Sequence, residues 1–221
     1  MLKDITILLS ASGSPSMPGQ LSCYRGNGER NIRIVGVDMS NEPSAKYMVD
    51  AFYNVPEATA ADYCGIVLDI CKKEKVDIYS PNISAEVSAV VERQKDFSSI
   101  GTILSVSDPK AVAIANNKLK AYEFLKTKGI PVPKYYGVHN LQDFIDGCKV
   151  LGYPENPVCL KIVDNSGSRG VRIIDAKRNR YQIFAHEKPN SFFTSYEDML
   201  SILKSVEKLD EMMLVEYMPG N

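Results

Sequence analysis

Apolar positions recur along the chain in two rhythms, short runs of a strand and three- and four-residue spacings of a helix face. Ile5 to Leu9 is an apolar run bounded by turn residues, which predicts a strand buried on both faces. A small-residue loop from Ser10 to Gly19 follows it, and a second strand is expected over Ile32 to Val37, ending at Asp38. Asp50 to Val55 reads as a short strand. Ala61 to Lys73 places Cys64, Val67, Leu68 and Cys71 on one helix face. Asp77 to Pro81 predicts a strand, Ala85 to Arg93 a helix, and Thr102 to Ser105 a closing strand. Strand and helix alternate, so the economical architecture to about Ser107 is a Rossmann-like parallel sheet with helices on both faces.

Beyond Ser107 the pattern changes. Pro109 suits the first position of a helix, and Asn117 can cap another that runs through Lys126 to Gly129. Ile130-Pro-Val-Pro133 is stiff and cannot be helical, so it reads as a linker or hinge. Tyr135 to Val138 predicts a strand, and Leu141 to Leu151 a helix with Asn140 before it and Gly152 after it. A further strand is expected around Tyr181 to Ala185. Ser195 caps a helix with Asp198 three residues on, and Met199, Ile202, Leu203 and Val206 should form its buried face. Met212 to Tyr217 reads as a strand and Met218 to Asn221 as a turn. A chain that stops as a new strand–turn unit opens is expected to be a fragment of a longer protein.

The richest stretch is Pro157 to Ile174. Val158, Leu160 and Ile162 alternate with Cys159, Lys161 and Val163, then turn residues run from Asp164 to Gly170, and Val171 to Ile174 resumes the strand character. A hairpin tip with Gly167 and Gly170 offers backbone N–H groups free of side-chain obstruction, an arrangement that suits a phosphate chain. Lys161 in the feeding strand can meet the same phosphates as a point charge. The same residues also suit an ordinary surface hairpin with a solvated lysine.

Bulk properties narrow the classes. A net charge of -1 gives no electrostatic case for nucleic acid or an anionic membrane. No apolar run reaches spanning length, and the start is not a signal peptide. The five cysteines are scattered without a CxxC, which favours reduced thiols and the cytoplasm. Two histidines supply little for metal or triad chemistry. After Gly13 the next two positions of a GxGxxG fingerprint are Pro15 and Pro18, which lack amide donors. That weighs against a Rossmann NAD(P)-binding oxidoreductase, although Asp38 stands where a ribose partner would. Cys159, in a strand, suits a small buried hydrophobe better than a nucleophile.

The order of segments resembles the ATP-grasp superfamily, and most the carbamoyl-phosphate synthase large-subunit type. Four pieces carry the likeness: the Rossmann-like opening; Asp108-Pro-Lys with Asn117-Lys-Leu-Lys-Ala-Tyr and Gly129-Ile-Pro-Val-Pro133; Pro157-Val-Cys-Leu-Lys-Ile with Ser166-Gly-Ser-Arg-Gly-Val171; and Leu214-Val-Glu-Tyr-Met-Pro-Gly220. The resemblance implies a preATP-grasp domain over 1–107, a helical connector over 108–133, an α+β lid subdomain over 134–211 and the start of the large subdomain over 212–221.

The resemblance also implies roles. Lys118 and Lys161 match basic residues that reach nucleotide phosphates. Ser166, Gly167, Ser168, Arg169 and Gly170 match the mobile loop over the β- and γ-phosphates, and Glu216, Tyr217 and Met218 match the strand that pairs with adenine. Read alone, Lys118 also suits a surface lysine at a helix start, Glu216 an edge-strand carboxylate, and Arg169 a contact to phosphate, substrate or solvent. The implied function is an ATP-dependent carboxylate–amine ligase working through an acyl phosphate, with ATP and Mg²⁺ as cofactors. The magnesium ligands are expected beyond residue 221, so the 221-residue chain alone should not turn over ATP and should bind it weakly. A non-catalytic nucleotide-binding or regulatory module is the alternative. Partners are ATP and a small carboxylate or amine, with no nucleic acid or membrane, and a homo-oligomer is admissible.

Overall fold

A computed structural model describes residues 2–219. The chain divides into two compact units, Met1–Ala113 and Ile114–Asn221. The first is built on five parallel strands, β1 (Ile5–Leu9), β2 (Ile32–Asp38), β3 (Ala51–Asn54), β4 (Ile78–Ser80) and β5 (Ile103–Leu104), in the order β3-β2-β1-β4-β5. Successive strand residues point to opposite faces, and two cores result. Leu8, Val35 and Val37 pack with Val67 and Cys71 of helix α2 (Tyr63–Glu74) on one face. Ile7, Leu9 and Ile34 pack on the other with Met17 and Leu21 of helix α1 (Met17–Arg25).

Several elements differ from expectation. The loop expected to run to Gly19 ends earlier, because α1 starts at Met17. Pro18 lies in its first turn, where an amide has no intrahelical partner and its loss costs nothing. On α2, Tyr63 and Ile70 are buried with Val67 and Cys71, whereas Cys64 and Leu68 are half-buried against that core. The single helix expected over Ala85 to Arg93 is two pieces, α3 (Ser84–Val90) and a 3₁₀ turn over Val91–Arg93, and a further helix, α4 (Gln94–Ser99), follows and puts Phe97 in the core.

The second unit follows α5 (Pro109–Ala115), which spans the division, and opens with α6 (Lys118–Thr127). The Asn117 side chain accepts from the Lys120 N–H at 3.0 Å, capping α6 as its identity suggests. The sheet has the order β6-β10-β7-β8-β9. Its members are β6 (Tyr135–Val138), β7 (Val158–Ile162), β8 (Val171–Ile174), β9 (Phe193–Thr194) and β10 (Met212–Glu216). The β7–β8 hairpin is antiparallel, as the turn residues imply, and only β8 and β9 run parallel. One face carries Val158, Leu160, Ile174 and Leu214 against Phe144 and Cys148 of α7 (Leu141–Val150) and Met199 and Leu203 of α9 (Tyr196–Lys204). The other carries Val163, Met213 and Val215 against Leu119 and Tyr122 of α6.

Two expectations fail in this unit. Tyr181 to Ala185 is not a strand but part of α8 (Arg180–His186). Asn179 and Gln182 form a reciprocal capping box that satisfies the helix's orphan donors, and this outweighs the apolar residues between. Ile202 on α9 and Val206, two residues past its end, are about half exposed (54% and 53%), so the helix is shorter and its buried face narrower than the spacing suggested. The turn expected over Met218 to Asn221 lies partly outside the described residues, as does Gly220 of the fourth family segment.

Candidate nucleotide site

Strand alternation orients Lys161. It sits opposite Met213 of β10 and so shares the α6-side face with Met213 and Val215. Beyond β7 the chain leaves through Val163 into an exposed stretch, Asp164 to Gly170, that returns to β8. Gly167, Ser168 and Gly170 all have positive φ, at 64°, 61° and 69°. Glycine adopts this conformation freely, and serine does so at a cost. Gly170 has a second reason: a Cβ there would stand 2.5 Å from Cδ1 of Ile162, whose N–H donates to the Gly170 carbonyl at 3.2 Å. The loop is thus anchored at its end and open at its tip. Arg169 folds back, donating to the Ser166 hydroxyl at 3.3 Å.

Lys118 comes to the same root from α6. Its ammonium donates to the carbonyls of Ile162 at 3.0 Å, Val163 at 3.2 Å and Asn165 at 2.6 Å. Burial lowers its proton affinity below the ordinary lysine range; the Asp164 carboxylate opposes this, and the Lys161 charge adds to it. Lys118, Lys161 and the 166–170 segment therefore meet at one end of β7, and two ammonium groups act on each other there.

Glu216, Tyr217 and Met218 lie at the far end of β10, three residues along from Met213, or about 10 Å at strand rise. Glu216 accepts from the Lys134 N–H at 2.9 Å through Oε1. The Tyr217 N–H donates to the Pro157 carbonyl at 3.3 Å, and its ring meets Phe193 edge-on with centroids 6.3 Å apart. Met218 is exposed. These three do not join the lysines but mark the opposite end of the strand pair. Positive charge with an exposed, glycine-bearing loop at one end and a strand edge at the other suit an extended anionic ligand with a flat head. Among the described residues, no group of three or more His, Cys, Asp and Glu side chains is placed to hold a metal ion. The described residues do not make a magnesium site.

Sequence reasoning missed a polar cluster in the first unit, at the carboxyl ends of its strands. Glu86 is buried on α3, with its carboxylate accepting from the Ser10 hydroxyl. Burial raises its pKa above the usual range, against the opposing pull of Ser10, the Asn82 and Ile83 amides and Tyr63. Tyr63 and Tyr79 share a hydroxyl hydrogen bond of 3.1 Å beneath it. A cavity of about 320 Å³ opens beside it, lined by Gly13, Asp38, Glu57, Ile83 and Glu86 among others. Asp38 is occupied in holding loops, accepting from Gly13 N–H at 2.7 Å and Ser40 N–H at 2.8 Å. The order β3-β2-β1-β4 reverses direction at β1, and crevices at such reversals are where doubly wound sheets bind ligands. A lone charged residue among the apolar and small residues of the Ile83–Val91 segment was the available signal.

Residues 19–121 match the family described as PylC-like, N-terminal domain. The chain is similar to the carbamoyl phosphate synthase large chain of Thermoplasma acidophilum, 28% identical over 152 residues, covering 67% of this chain and 14% of that protein. It is similar to the formate-dependent phosphoribosylglycinamide formyltransferase of Ignicoccus hospitalis, 25% identical over 125 residues, covering 56% of this chain and 29% of that protein. The chain thus spans less than a third of either curated relative. Its fold matches an ADP complex of N5-carboxyaminoimidazole ribonucleotide synthetase with a TM-score of 0.63 at 14% identity, over 99% of this chain and 48% of that one. Among the described residues no helix is long and apolar enough to cross a membrane.

Proposed function

We propose, for a chain that belongs to the ATP-grasp superfamily, ATP-dependent ligation of a carboxylate to an amine through an acyl phosphate. The γ-phosphoryl group passes to a carboxylate oxygen of the substrate and ADP leaves. The amine nitrogen then attacks the acyl carbon, its proton is lost, and inorganic phosphate departs. Such transfer needs positioning and charge neutralisation more than covalent chemistry from the protein.

The observation that carries this reading is the meeting of Lys118 and Lys161 at the root of the 166–170 loop. Lys161 supplies positive charge to the phosphates. Ser166 to Gly170 supply backbone amides, with Arg169 as a further cation, and cover the phosphates against water. Glu216, Tyr217 and Met218 offer the strand edge to adenine. The crevice beside Gly13, Asp38 and Glu86 in the first unit suits a small polar ligand by itself. Relatives named for carbamoyl phosphate synthesis and formyl transfer, and a fold shared with a protein complexed with ADP, support this choice. In this reading residues 1–107 are the preATP-grasp domain, 108–133 a connector, 134–211 the lid, and 212–221 the opening of the large subdomain. It works in the cytoplasm on small molecules.

The test is ATP titration followed by an assay for carboxylate-dependent ADP release in the protein that carries this chain. Binding that Lys161→Ala abolishes, together with ADP release, is the expected result. Unchanged ATP affinity in Lys161→Ala sinks the site. Binding without ADP release for any carboxylate points instead to a nucleotide-binding regulatory module.

A further inference from the structure

The second unit holds a cavity of about 560 Å³ where the chain leaves β8 and the first turns of α8 and α9 come together. Tyr153, Tyr181 and Tyr196 wall it, with the carboxylates of Asp175 and Glu197. Tyr153 and Tyr196 lie nearly parallel, their centroids 5.2 Å apart and their planes 18° apart. Phe144, fully buried, stacks on Tyr196 in turn at 5.6 Å, so the core itself holds these rings in place. Two guanidinium groups reach the cavity, and both are engaged. Arg178 lies 3.7 Å above the Phe193 ring, with Nε 3.6 Å from Asp175, and it also pairs with Glu187. Arg180 pairs with Asp198 at 3.1 Å. Among the described residues, Glu197 has no ion-pair partner.

Arg178 shows what this corner of the fold can hold: a cation over an aromatic face, flanked by carboxylates. Ring faces attract cations through their quadrupole, and more so where water is excluded. The cavity repeats that set beside it, with Tyr153 in the place of Phe193, Glu197 in the place of Glu187, and Asp175 common to both. We propose that the cavity between β8, α8 and α9 binds a small organic cation, a guanidinium or alkylammonium, whose head lies against Tyr153 and takes Glu197 as its counterion. Such a head carries donors and no acceptor, which matches a wall of carboxylate oxygens. Burial raises the proton affinity of the Tyr153 phenol, and the Glu197 and Asp175 charges add to it, so both carboxylates act at that ring. An anion fits worse. It would compete with Asp175, Glu187 and Asp198 for the two arginines, and Ser195 already caps the first turn of α9 by accepting from the Asp198 N–H at 3.1 Å. The inference does not rest on the nucleotide reading.

The experiment titrates agmatine, a guanidinium and an amine on one alkyl chain, into the nucleotide-free chain and follows Tyr153, Tyr196 and Glu197 by NMR. Inorganic phosphate at matched ionic strength is the anionic counterpart. Saturable shifts at all three residues with agmatine, and weaker or no shifts with phosphate, are expected. Glu197→Gln, at an exposed position, should weaken agmatine about ten-fold. Glu207→Gln, an exposed carboxylate off the cavity, should bind as wild type does. Tyr153→Leu should weaken binding about five-fold, whereas Tyr153→Phe keeps the ring and should match wild type. If Tyr153→Leu does not fold, Tyr181→Leu replaces it, at a residue 72% exposed, and should weaken binding about three-fold. Equal weakening in Glu197→Gln and Glu207→Gln means diffuse attraction to negative charge and overturns the proposal. Unchanged affinity in Glu197→Gln or in the leucine variant overturns it too. So do shifts that never saturate with agmatine, or tighter binding of phosphate at the same residues. No ATP enters the measurement, so this proposal and the nucleotide reading stand or fall separately.

Discussion

Glu216 and Lys134 exchange two hydrogen bonds: the Glu216 N–H donates to the Lys134 carbonyl at 2.9 Å, and the Glu216 carboxylate accepts the Lys134 N–H at 2.9 Å. The carboxylate therefore continues the β6–β10 ladder past its last paired residues, Val215 and Tyr135. Its Oε1 is taken, and any ligand at this strand edge meets the backbone and Oε2.

Glu216→Ala removes the side-chain bond but leaves an exposed amide that water can satisfy. The loss should be about 1 kcal/mol in urea denaturation. Glu216→Gln keeps an acceptor oxygen and should lose less than half of that. Equal losses in the two variants would show that charge rather than the hydrogen bond matters here.

Gly147 is a matter of space. A Cβ there would lie 2.8 Å from Cδ1 of Tyr136 and 2.9 Å from Cδ1 of Leu214, so α7 rests directly on β6 and β10. Alanine would add up to about 1 kcal/mol of helix propensity. Overpacking a dense core costs about 1–3 kcal/mol. The collision should win, and Gly147→Ala should lower the denaturation midpoint. A raised midpoint would mean that Tyr136 and Leu214 move aside freely.

What could be read without coordinates followed local rules. Asn117, Asn140 and Ser195 cap helices because their side chains reach an amide three residues on, and that geometry travels with the sequence. The alternation of Val158 to Val163 placed Lys161 on one face for the same reason. Tyr181 to Ala185 misled because its apolar residues resemble a strand while the deciding chemistry sits in Asn179 and Gln182. Ile202 and Val206 keep a four-residue spacing, but α9 ends at Lys204 and both stay about half exposed, lining a cleft beside Leu160, Met199 and Leu203. The destination of the Lys118 ammonium, and the close seat of Gly147, depend on where distant strands end, and no local pattern encodes that.

The thiols should divide by burial. Cys71 and Cys148 are pushed up to about 12 by desolvation, and Cys159 is raised by the same cause. Thiolate is the reactive form, so these three should be inert at neutral pH. Cys23 is exposed. A thiol-reactive disulfide reagent should label Cys23 rapidly in the native chain and reach all five only in denaturant. Fast labelling of Cys148 without denaturant would contradict the packing of α7.

Glu86 makes a prediction with a sign. Its carboxyl is raised by burial, so the folded chain holds that proton more tightly than the unfolded chain does. Its contribution to stability is therefore full below the unfolded value of about 4.3 and is lost as pH rises through the raised folded value. Glu86→Gln keeps an oxygen that can accept from Ser10 and removes the ionisation. Its stability relative to wild type should improve steadily from pH 4 to pH 7, followed by chemical denaturation at each pH. The carboxyl carbon of Glu86, followed by NMR, should titrate above the usual glutamate range over the same interval. A difference between the two proteins that does not change with pH would mean that Glu86 faces water, and the crevice beside it would lose its buried acidic wall.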